Sequence, residues 1–418
     1  MNEKQNLRLK RNVGLDYVHT FLSNMNMQSS IWVLYLAYCG LHLAQIGLLE
    51  GIYHATSIVC EIPSGAAADL LGRKRCMILS NICIAVSCVI MLFSKSFGCF
   101  AVSFVVQALG NNLNSGSEEA LVYDSMKCLG QEEHYMGVYG RLNVLIEVAQ
   151  GLATVAGGVL AEFSYFWCYA ACVVIAVLAL LPVLWMAEPP QCGEAADTAG
   201  KDAKDASAEG TPAQRTIRET VKHHFAVSAC ILQKDVRIGK IIGFYSVVFA
   251  AHTLLFFYSQ QYFADLGYNK VQISVIMLLV GGASCLGALV SEKMYRWFWK
   301  KCLIPETVII AGAILCYGAG KADVAAAALM CAGFANAALY PIQSDSLNAL
   351  IPSEQRATLI SVDSMCFSIA MIVLFPLAGA LADRWGLKTV LLLLGAILLL
   401  FLLTVFCIEK ESFSSDHS

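Results

Sequence analysis

Charged residues are scarce in this chain: Asp, Glu, Lys and Arg make up 14% of its 418 residues, whereas hydrophobic residues make up 58%. A soluble globular domain carries roughly 25% charged and 45–50% apolar residues, so the composition excludes an ordinary soluble protein. The formal net charge of -3 excludes little, because in a membrane protein the placement of charge matters more than its sum.

The sequence also lacks the motifs of soluble catalysis. It contains no phosphate-binding loop ending in Gly-Lys-Ser/Thr, no metal-ligand cluster and no catalytic triad. Seventeen cysteines are present, but most lie in apolar runs, where a thiol behaves as a small hydrophobic group. Cys168 and Cys172 are one helical turn apart without further Cys or His at ligand spacing. We therefore expect no enzyme activity, no metal, no cofactor and no nucleic-acid partner.

Twelve apolar runs are long enough to cross about 30 Å of hydrocarbon as helices. Continuous runs of this kind argue against a β-barrel, whose strands would be shorter and alternating. The sequence therefore predicts an all-α polytopic membrane protein with twelve transmembrane helices. The predicted spans are 15–38, 43–67, 76–94, 97–123, 138–161, 164–186, 239–264, 270–292, 302–319, 322–347, 358–382 and 388–408.

Most of the 28 Lys and Arg residues lie in the ends and loops on the side of the N-terminus. Because cytoplasmic loops carry an excess of Lys and Arg, we expect both termini in the cytoplasm and the protein in the plasma (inner) membrane. No small-residue cleavage site follows the first span, which we expect to be retained.

A polar segment, "EPPQCGEAADTAGKDAKDASAEGTPAQRT", separates the sixth and seventh spans. Its composition is typical of a disordered linker, and the following "IRETVKHHFAVSACILQKD" predicts a short amphipathic helix at the membrane interface. The predicted organisation is a six-helix bundle over 1–187, a cytoplasmic linker over 188–237, a second bundle over 238–410 and a cytoplasmic tail over 411–418.

The two halves repeat one another. "GLHLAQIG" (40–47) aligns with "GYNKVQIS" (267–274), each between the first and second spans of its half. A shorter pattern is a Gly followed four residues later by an acid. If the spans are taken in groups of three, this pattern lies at the end of the second span of each group, with a looser copy at Gly287. This spacing predicts a three-plus-three inverted repeat in each half, as in many secondary transporters. The regular copies are "GAAAD" (Gly65, Asp69), "GVLAE" (Gly158, Glu162) and "GALAD" (Gly379, Asp383).

In span number, linker position and repeats the chain resembles the major facilitator superfamily. That family carries a Gly-x-x-x-Asp-Arg-x-Gly-Arg-Lys signature between its second and third helices; here Leu70 replaces the first Arg. The resemblance implies alternating access by two rocking bundles, the action of a monomer, and a gating role for the signature. The matching gating residues are Gly65, Asp69, Gly72, Arg73 and Lys74, with Asp124 as a further member.

Physical chemistry gives these gating residues specific partners. Gly65 permits close approach of another helix, and Asp69 can face the positive end of a helix from the other half. The resemblance implies that this partner is the eleventh helix, beginning near Thr358. Arg73 can pair with Asp124. The alternative is that "GRKR" serves only to anchor the orientation of the protein.

Ionisable residues within spans are candidates for proton coupling, because a buried charge is costly in hydrocarbon. Glu50, His54, Ser57 and Glu61 share one face of the second helix. On the fourth and fifth helices, Glu118 or Glu119 is expected to pair with Arg141, which leaves the other acid or Glu147 for a proton. The alternative is a structural ion-pair network. The candidates are Glu50, His54, Glu61, Glu118, Glu119, Arg141 and Glu147.

The resemblance implies a substrate cavity lined mainly by the first, fourth, seventh and tenth helices, and the candidate contacts come from the first, seventh and tenth. Their aromatic rings and scattered hydrogen-bonding groups favour a partly apolar solute, although aromatic stripes also arise from packing. The candidate contacts are Asn24, Asn26, Gln28, Tyr245, His252, Phe256, Tyr258, Gln261, Asn336, Tyr340, Gln343 and Asp345.

The predicted function is secondary active transport, most similar to the drug-efflux branch: export of amphiphilic or drug-like molecules, driven by a proton gradient. The partners would be a small-molecule substrate, protons and the lipid bilayer. "AQGLATVAGG" in the fifth helix departs from the Gly-x-x-x-Gly-Pro-x-x-Gly-Gly run of drug and proton antiporters. A proton symporter that imports a metabolite and a membrane receptor without transport activity therefore stay open as alternatives.

Overall fold

The computed structural model describes residues 3–190, 236–298, 303–350 and 356–415. Within these ranges the chain forms fourteen α-helices. They are α1 (Glu3–Ser23), α2 (Trp32–Tyr38), α3 (Leu43–Leu71), α4 (Arg73–Phe93), α5 (Phe97–Asn114), α6 (Ser117–Cys128), α7 (Tyr135–Phe163), α8 (Tyr165–Trp185), α9 (Val236–Asp265), α10 (Lys270–Phe298), α11 (Leu303–Cys316), α12 (Ala322–Leu350), α13 (Arg356–Trp385) and α14 (Leu387–Ser415).

Ten of the twelve predicted spans coincide with single helices. The all-α prediction is confirmed, and seven helices of the described chain are long and apolar enough to cross a membrane, namely α4, α7, α8, α9, α10, α12 and α13. The other two spans, the first and the fourth, are each split between two helices.

The first span is interrupted between α1 and α2 by the polar sequence "NMNMQSS". The Asn24 side chain donates to the Thr20 carbonyl at 2.9 Å, and the Ser23 hydroxyl donates to the same carbonyl at 3.3 Å. Asn and Ser compete with helical hydrogen bonds in this way and favour helix ends. The predicted helix over 15–38 is therefore wrong in its middle, where the chain turns.

The fourth span is interrupted at Ser115 and Gly116. Gly116 has a φ of 74°, a left-handed conformation that glycine adopts without steric strain. Helix α6 then starts at Ser117, with Glu118 and Glu119 in its first turn, where the helix dipole favours negative charge.

The contacts divide the chain into two compact units. Unit 1 comprises Met1–Met27, Thr56–Ala153 and Phe166–Val227, and its core includes Met77, Leu121, Val183 and Met186. Unit 2 comprises Gln28–Ala55, Thr154–Tyr165 and Ser228–Ser418. Residues 191–235 of the predicted linker lie outside the described part of the chain, and the proposed domain boundaries stay predictions.

Candidate functional site

One face of α1 in unit 1 carries a run of buried polar side chains. Asn12, Asp16, His19 and Thr20 are spaced at i, i+4, i+7 and i+8, so they lie along one side of the helix. Each is at most 4% exposed. Buried polar groups are costly unless they are hydrogen bonded, so the partners of these four side chains decide what the face can do.

Glu118 in the first turn of α6 is held from two sides. One carboxylate oxygen, Oε1, accepts a hydrogen bond from Thr20 Oγ1 at 2.8 Å, and Oε2 accepts one from Asn114 Nδ2 at 2.7 Å. Because Asn114 ends α5 and Glu118 lies just past the Gly116 turn, the break in the fourth span is what presents this carboxylate to α1.

His19 lies between a backbone carbonyl and Glu118. Its Nδ1 is 3.0 Å from the carbonyl oxygen of Ala179, which can only accept, so Nδ1 carries the proton. In the neutral ring Nε2 is therefore an acceptor; it has no hydrogen bond and lies 3.9 Å from Glu118 Oε1. A second proton on the ring would convert this contact into an ion pair.

Asp16 is the most unusual member of this face, because it is 1% exposed and neither of its carboxylate oxygens has a hydrogen-bond partner. The Asn114 Oδ1 atom is also buried without a partner. The region thus has more acceptors than donors. We call Asp16, His19, Thr20, Asn114 and Glu118 the acidic cluster.

Asn12 differs from Asp16 in being fully satisfied. Its amide nitrogen donates to Ser125 Oγ and to the Ala187 carbonyl, both at 2.8 Å, and its oxygen accepts from the Ala187 N–H at 2.9 Å. The same face of α1 therefore contains a structural anchor and, one turn later, a carboxylate with no partner.

Sequence reasoning missed Asp16, His19, Thr20 and Asn114 as site residues. The available signal was the polar spacing within a predicted membrane helix, which ordinarily marks functional positions. The sequence could not show that Glu118 meets this face, since the contact joins positions 98 residues apart.

The signature residues in unit 1 form a different network. Arg73 and Asp124 form the expected ion pair, and Arg73 Nη1 also donates to the Ala120 carbonyl at 2.5 Å. The Glu188 carboxylate accepts from the backbone N–H groups of Arg73 at 2.7 Å and Lys74 at 2.9 Å, at the start of α4. The gating role of these residues stays a prediction.

Lys74 and the signature glycines have separate structural roles. The Lys74 ammonium donates to the carbonyls of Leu184 and Met186, at the end of α8. Gly72 has a φ of 92°, which favours glycine. No described atom lies within 4 Å of a Cβ built on Gly65, and the close helix approach expected there stays a prediction. We expected Asp69 to contact the helix start near Thr358. The structure does not describe the side chains of these two residues, so that contact stays a prediction.

The proton-coupling candidates of α3 are divided between the units. In unit 2, His54 Nε2 is 3.6 Å from Glu50 Oε1, and His54 Nδ1 is 3.2 Å from Ser368 Oγ. Ser57, in unit 1, donates to Asn112 Oδ1 at 2.9 Å instead, and Glu61 is half-buried in the same unit. The shared helix face is thus present, and Glu50 and His54 contact each other on it.

The expected ion pair of Arg141 with Glu118 or Glu119 is not formed among the described residues. Arg141, Glu119 and Glu147 are exposed. The reason is geometric, since Glu118 turns toward α1, where Thr20 and Asn114 satisfy both of its oxygens.

Several cavity candidates have structural partners. Tyr258 is fully buried and donates to the carbonyls of Leu43 and Phe375, at 3.3 and 3.1 Å. Gln261 donates to Asp265 Oδ1 at 2.7 Å, and Gln343 donates to Asp363 Oδ1 at 2.7 Å.

Asn24 Oδ1 accepts from Gln150, and Phe256 stacks edge-on with Phe257. Tyr245 is also buried.

Other cavity candidates are better placed for a solute. The Tyr340 ring is 63% exposed and lies 6.2 Å from the Phe249 ring. His252 Nε2 and Asn336 Oδ1 are buried and have no hydrogen-bond partner. Gln28 Oε1 likewise lacks a partner, and both Asp345 and Asn26 are exposed.

Comparison with known proteins identifies the fold. The family model of the Major Facilitator Superfamily matches residues 18–362 and 307–416. The uncharacterized MFS-type transporter YxaM of Bacillus subtilis (strain 168) is 22% identical over 380 residues, 90% of this chain and 90% of that protein.

Two solved structures share the whole architecture at low identity. The nucleoside transporter NupG is 14% identical, covers 98% of this chain and 100% of its own, and has a TM-score of 0.70. A bacterial homolog to the human lysosomal transporter Spinster, solved inward-facing and unoccupied, is 15% identical with coverage of 100% and 99% and a TM-score of 0.73. These likenesses confirm the predicted fold, with twelve helices in two domains, and the chain belongs to the major facilitator superfamily.

Proposed function

We propose that this superfamily member is a proton-coupled secondary transporter that works by alternating access, and that the acidic cluster carries the proton. The observation that carries the proposal is Asp16, a carboxylate that is 1% exposed and has two unpartnered oxygens. Desolvation disfavours the ionised form of such a group, so a bound proton is the state that suits its surroundings.

The burial of Asp16 also argues for the identity of its ligand. A side chain at 1% exposure leaves no room for the atoms of an organic solute, whereas a proton requires none. Ionised Asp16 would in addition be repelled by the negative charge of Glu118 in the same cluster. Release of the proton therefore requires a rearrangement that admits water, and this requirement links protonation to conformation.

His19 and Glu118 form a second proton-accepting pair next to Asp16. The free Nε2 of His19 points toward Glu118 at 3.9 Å, and a proton between them would convert a neutral ring and a carboxylate into an ion pair. Asp16 accepts a proton because its ionised carboxylate is unfavourable in a buried site. The His19–Glu118 pair accepts a proton because protonated His19 and ionised Glu118 attract each other. The two together provide sites between which a proton can be passed.

For the transport itself we propose export of amphiphilic molecules across the plasma membrane, with both termini in the cytoplasm. The exposed Tyr340 ring beside Phe249, with the unpartnered polar atoms of His252 and Asn336 on the same helices, suits a flat apolar solute with a few hydrogen-bonding groups. The receptor alternative has no support in the comparisons. Import by proton symport is an outcome that the following experiment would reveal.

The test is transport by the full chain reconstituted in liposomes with a pH dye inside. A pH gradient is imposed, and ethidium, a flat aromatic cation, is followed together with labelled nucleosides and pentoses. We expect proton flux only with a transported solute, and we expect Asp16→Asn to remove gradient-driven accumulation while solute exchange without a gradient persists.

The matched control is Glu147→Gln, which neutralises an exposed carboxylate on α7. We expect accumulation to survive in this variant. Full accumulation by Asp16→Asn, or its loss in Glu147→Gln alone, would remove Asp16 as the proton carrier. Proton and solute moving in the same direction would replace export by symport.

A further inference from the structure

Two helices of unit 2 begin against a carboxylate from elsewhere in the same unit. At the start of α3, the N–H groups of Leu43 and Ala44 donate to Asp383 of α13, at 3.0 and 2.9 Å. At the start of α10, the N–H of Lys270 donates to Glu162 of α7 at 3.0 Å. The first N–H groups of a helix have no partner within the helix, and the dipole favours an anion at this end.

The glycine four residues before each acid makes these contacts possible. A Cβ built on Gly379 would lie 2.3 Å from the Leu43 carbonyl oxygen, and one built on Gly158 would lie 2.5 Å from the Cβ of Ser274. Both distances are too short for any side chain, so only glycine lets the helices come this close. The Gly-x-x-x-acid repeat found in the sequence is thus a packing glycine followed, one turn later, by a helix cap.

Buried polar groups between the two caps join the same segments. Gln260 of α9 donates to the Ser29 carbonyl at 3.0 Å and accepts from the Val33 N–H at 3.3 Å. Ser30 Oγ lies 3.0 Å from Ser274 Oγ and donates to the Thr154 carbonyl at 3.3 Å. The chain around the break in the first span is therefore fixed to α9 and α10.

We propose that Asp383 and Glu162 are the two arms of one latch that holds this end of the transporter closed. Residues 28–55 and 154–165 come from the first half of the sequence, whereas α9, α10 and α13 come from the second. Both caps, the Gln260 hydrogen bonds and the Ser30–Ser274 contact therefore join the two halves within unit 2. Alternating access requires the halves to separate at one end at a time. The proposal rests on that mechanism and assigns to two acids the task of keeping this end shut.

The test measures hydrogen exchange by mass spectrometry on the full-length protein in nanodiscs, comparing Asp383→Asn and Glu162→Gln with the unsubstituted chain. Loss of the negative charge at a helix start should favour opening about 2- to 5-fold. We expect faster exchange at the capped helix start in each variant and also at Ser29–Val33, which neither acid contacts. Asp383→Glu keeps the charge and should restore protection.

The matched control is Glu188→Gln in unit 1, where Glu188 caps α4 through the N–H groups of Arg73 and Lys74. This change removes the same kind of contact, and it should accelerate exchange at the start of α4 without affecting Ser29–Val33. If Asp383→Asn and Glu162→Gln likewise change only their own helix starts, or change nothing, the acids are local caps and the latch is wrong.

The readout does not depend on transport. Faster exchange at Ser29–Val33 together with no solute or proton flux in liposomes would keep the latch and overturn proton-coupled transport. Normal flux together with faster exchange at the capped helix starts alone would keep proton-coupled transport and overturn the latch.

Discussion

Gly47 on α3 offers a sharp test of how closely the helices of unit 2 pack. A Cβ added there would lie 2.5 Å from the Phe375 carbonyl oxygen and 2.8 Å from both Phe375 C and Pro376 Cα. All three are backbone atoms, which cannot rotate away. Ordinary contact begins at 3.4 Å, so a single methyl group would force α3 and α13 about 0.9 Å apart.

Gly51, one turn further along α3, provides the matched control. The nearest atom to its Cβ is Pro376 Cγ at 3.5 Å, an ordinary contact with a side chain. Alanine is a better helix former than glycine by about 0.5–1 kcal/mol at either position. Overpacking costs about 1–3 kcal/mol, and it should affect Gly47→Ala alone.

The difference between the two variants is therefore the overpacking term. For a chain of 418 residues it corresponds to a separation of about 1–3 °C between their unfolding midpoints, with Gly51→Ala the higher. Intrinsic fluorescence of the detergent-purified protein measures both midpoints. Equal midpoints would show that α3 and α13 do not approach as described and would weaken the glycine argument for the latch.

Two further predictions concern unit 1. Asn12→Leu should lower the free energy of unfolding by about 2–3 kcal/mol, because the backbone groups of Ala187 lose both partners. Asp16→Leu should raise the free energy of unfolding by about 1–3 kcal/mol, because it removes an unsatisfied carboxylate. Chemical denaturation in one detergent measures both changes, and two changes of the same sign would contradict the reasoning. A double-mutant cycle with Arg73→Ala and Asp124→Ala should give a coupling of about 0.5–1 kcal/mol, because the pair is partly exposed and screened by solvent; a coupling near zero in low salt would show that the ion pair contributes nothing.

The sequence predicted most of the fold because the relevant signals are local. The length of an apolar run decides whether it can span a bilayer, and ten predicted spans are single helices in the structure. Local signals also exist for the two breaks, in the polar "NMNMQSS" and in Gly116, but the apolar average of the surrounding run concealed them.

The partners of the charged residues were predicted less well. Arg73 and Asp124 form the ion pair expected from their opposite charges, whereas Glu118 bonds to Thr20 and Asn114 and not to Arg141. Of the acids in the Gly-x-x-x-acid repeat, Asp69 was expected to face a helix start. The described contacts of this kind are those of Glu162 and Asp383, in copies whose basic tails are weaker.

The sequence by itself determined the class of this protein, since run length, hydropathy and the four-residue repeat are properties of neighbouring residues. Only the tertiary structure decided that Asp16 is buried without a partner, because α1 packs against α6, about a hundred positions later in the chain. The same holds for the latch, in which Asp383 reaches an N–H group 340 residues away. Burial and capping depend on which helices approach closely, and that follows from packing across the whole chain.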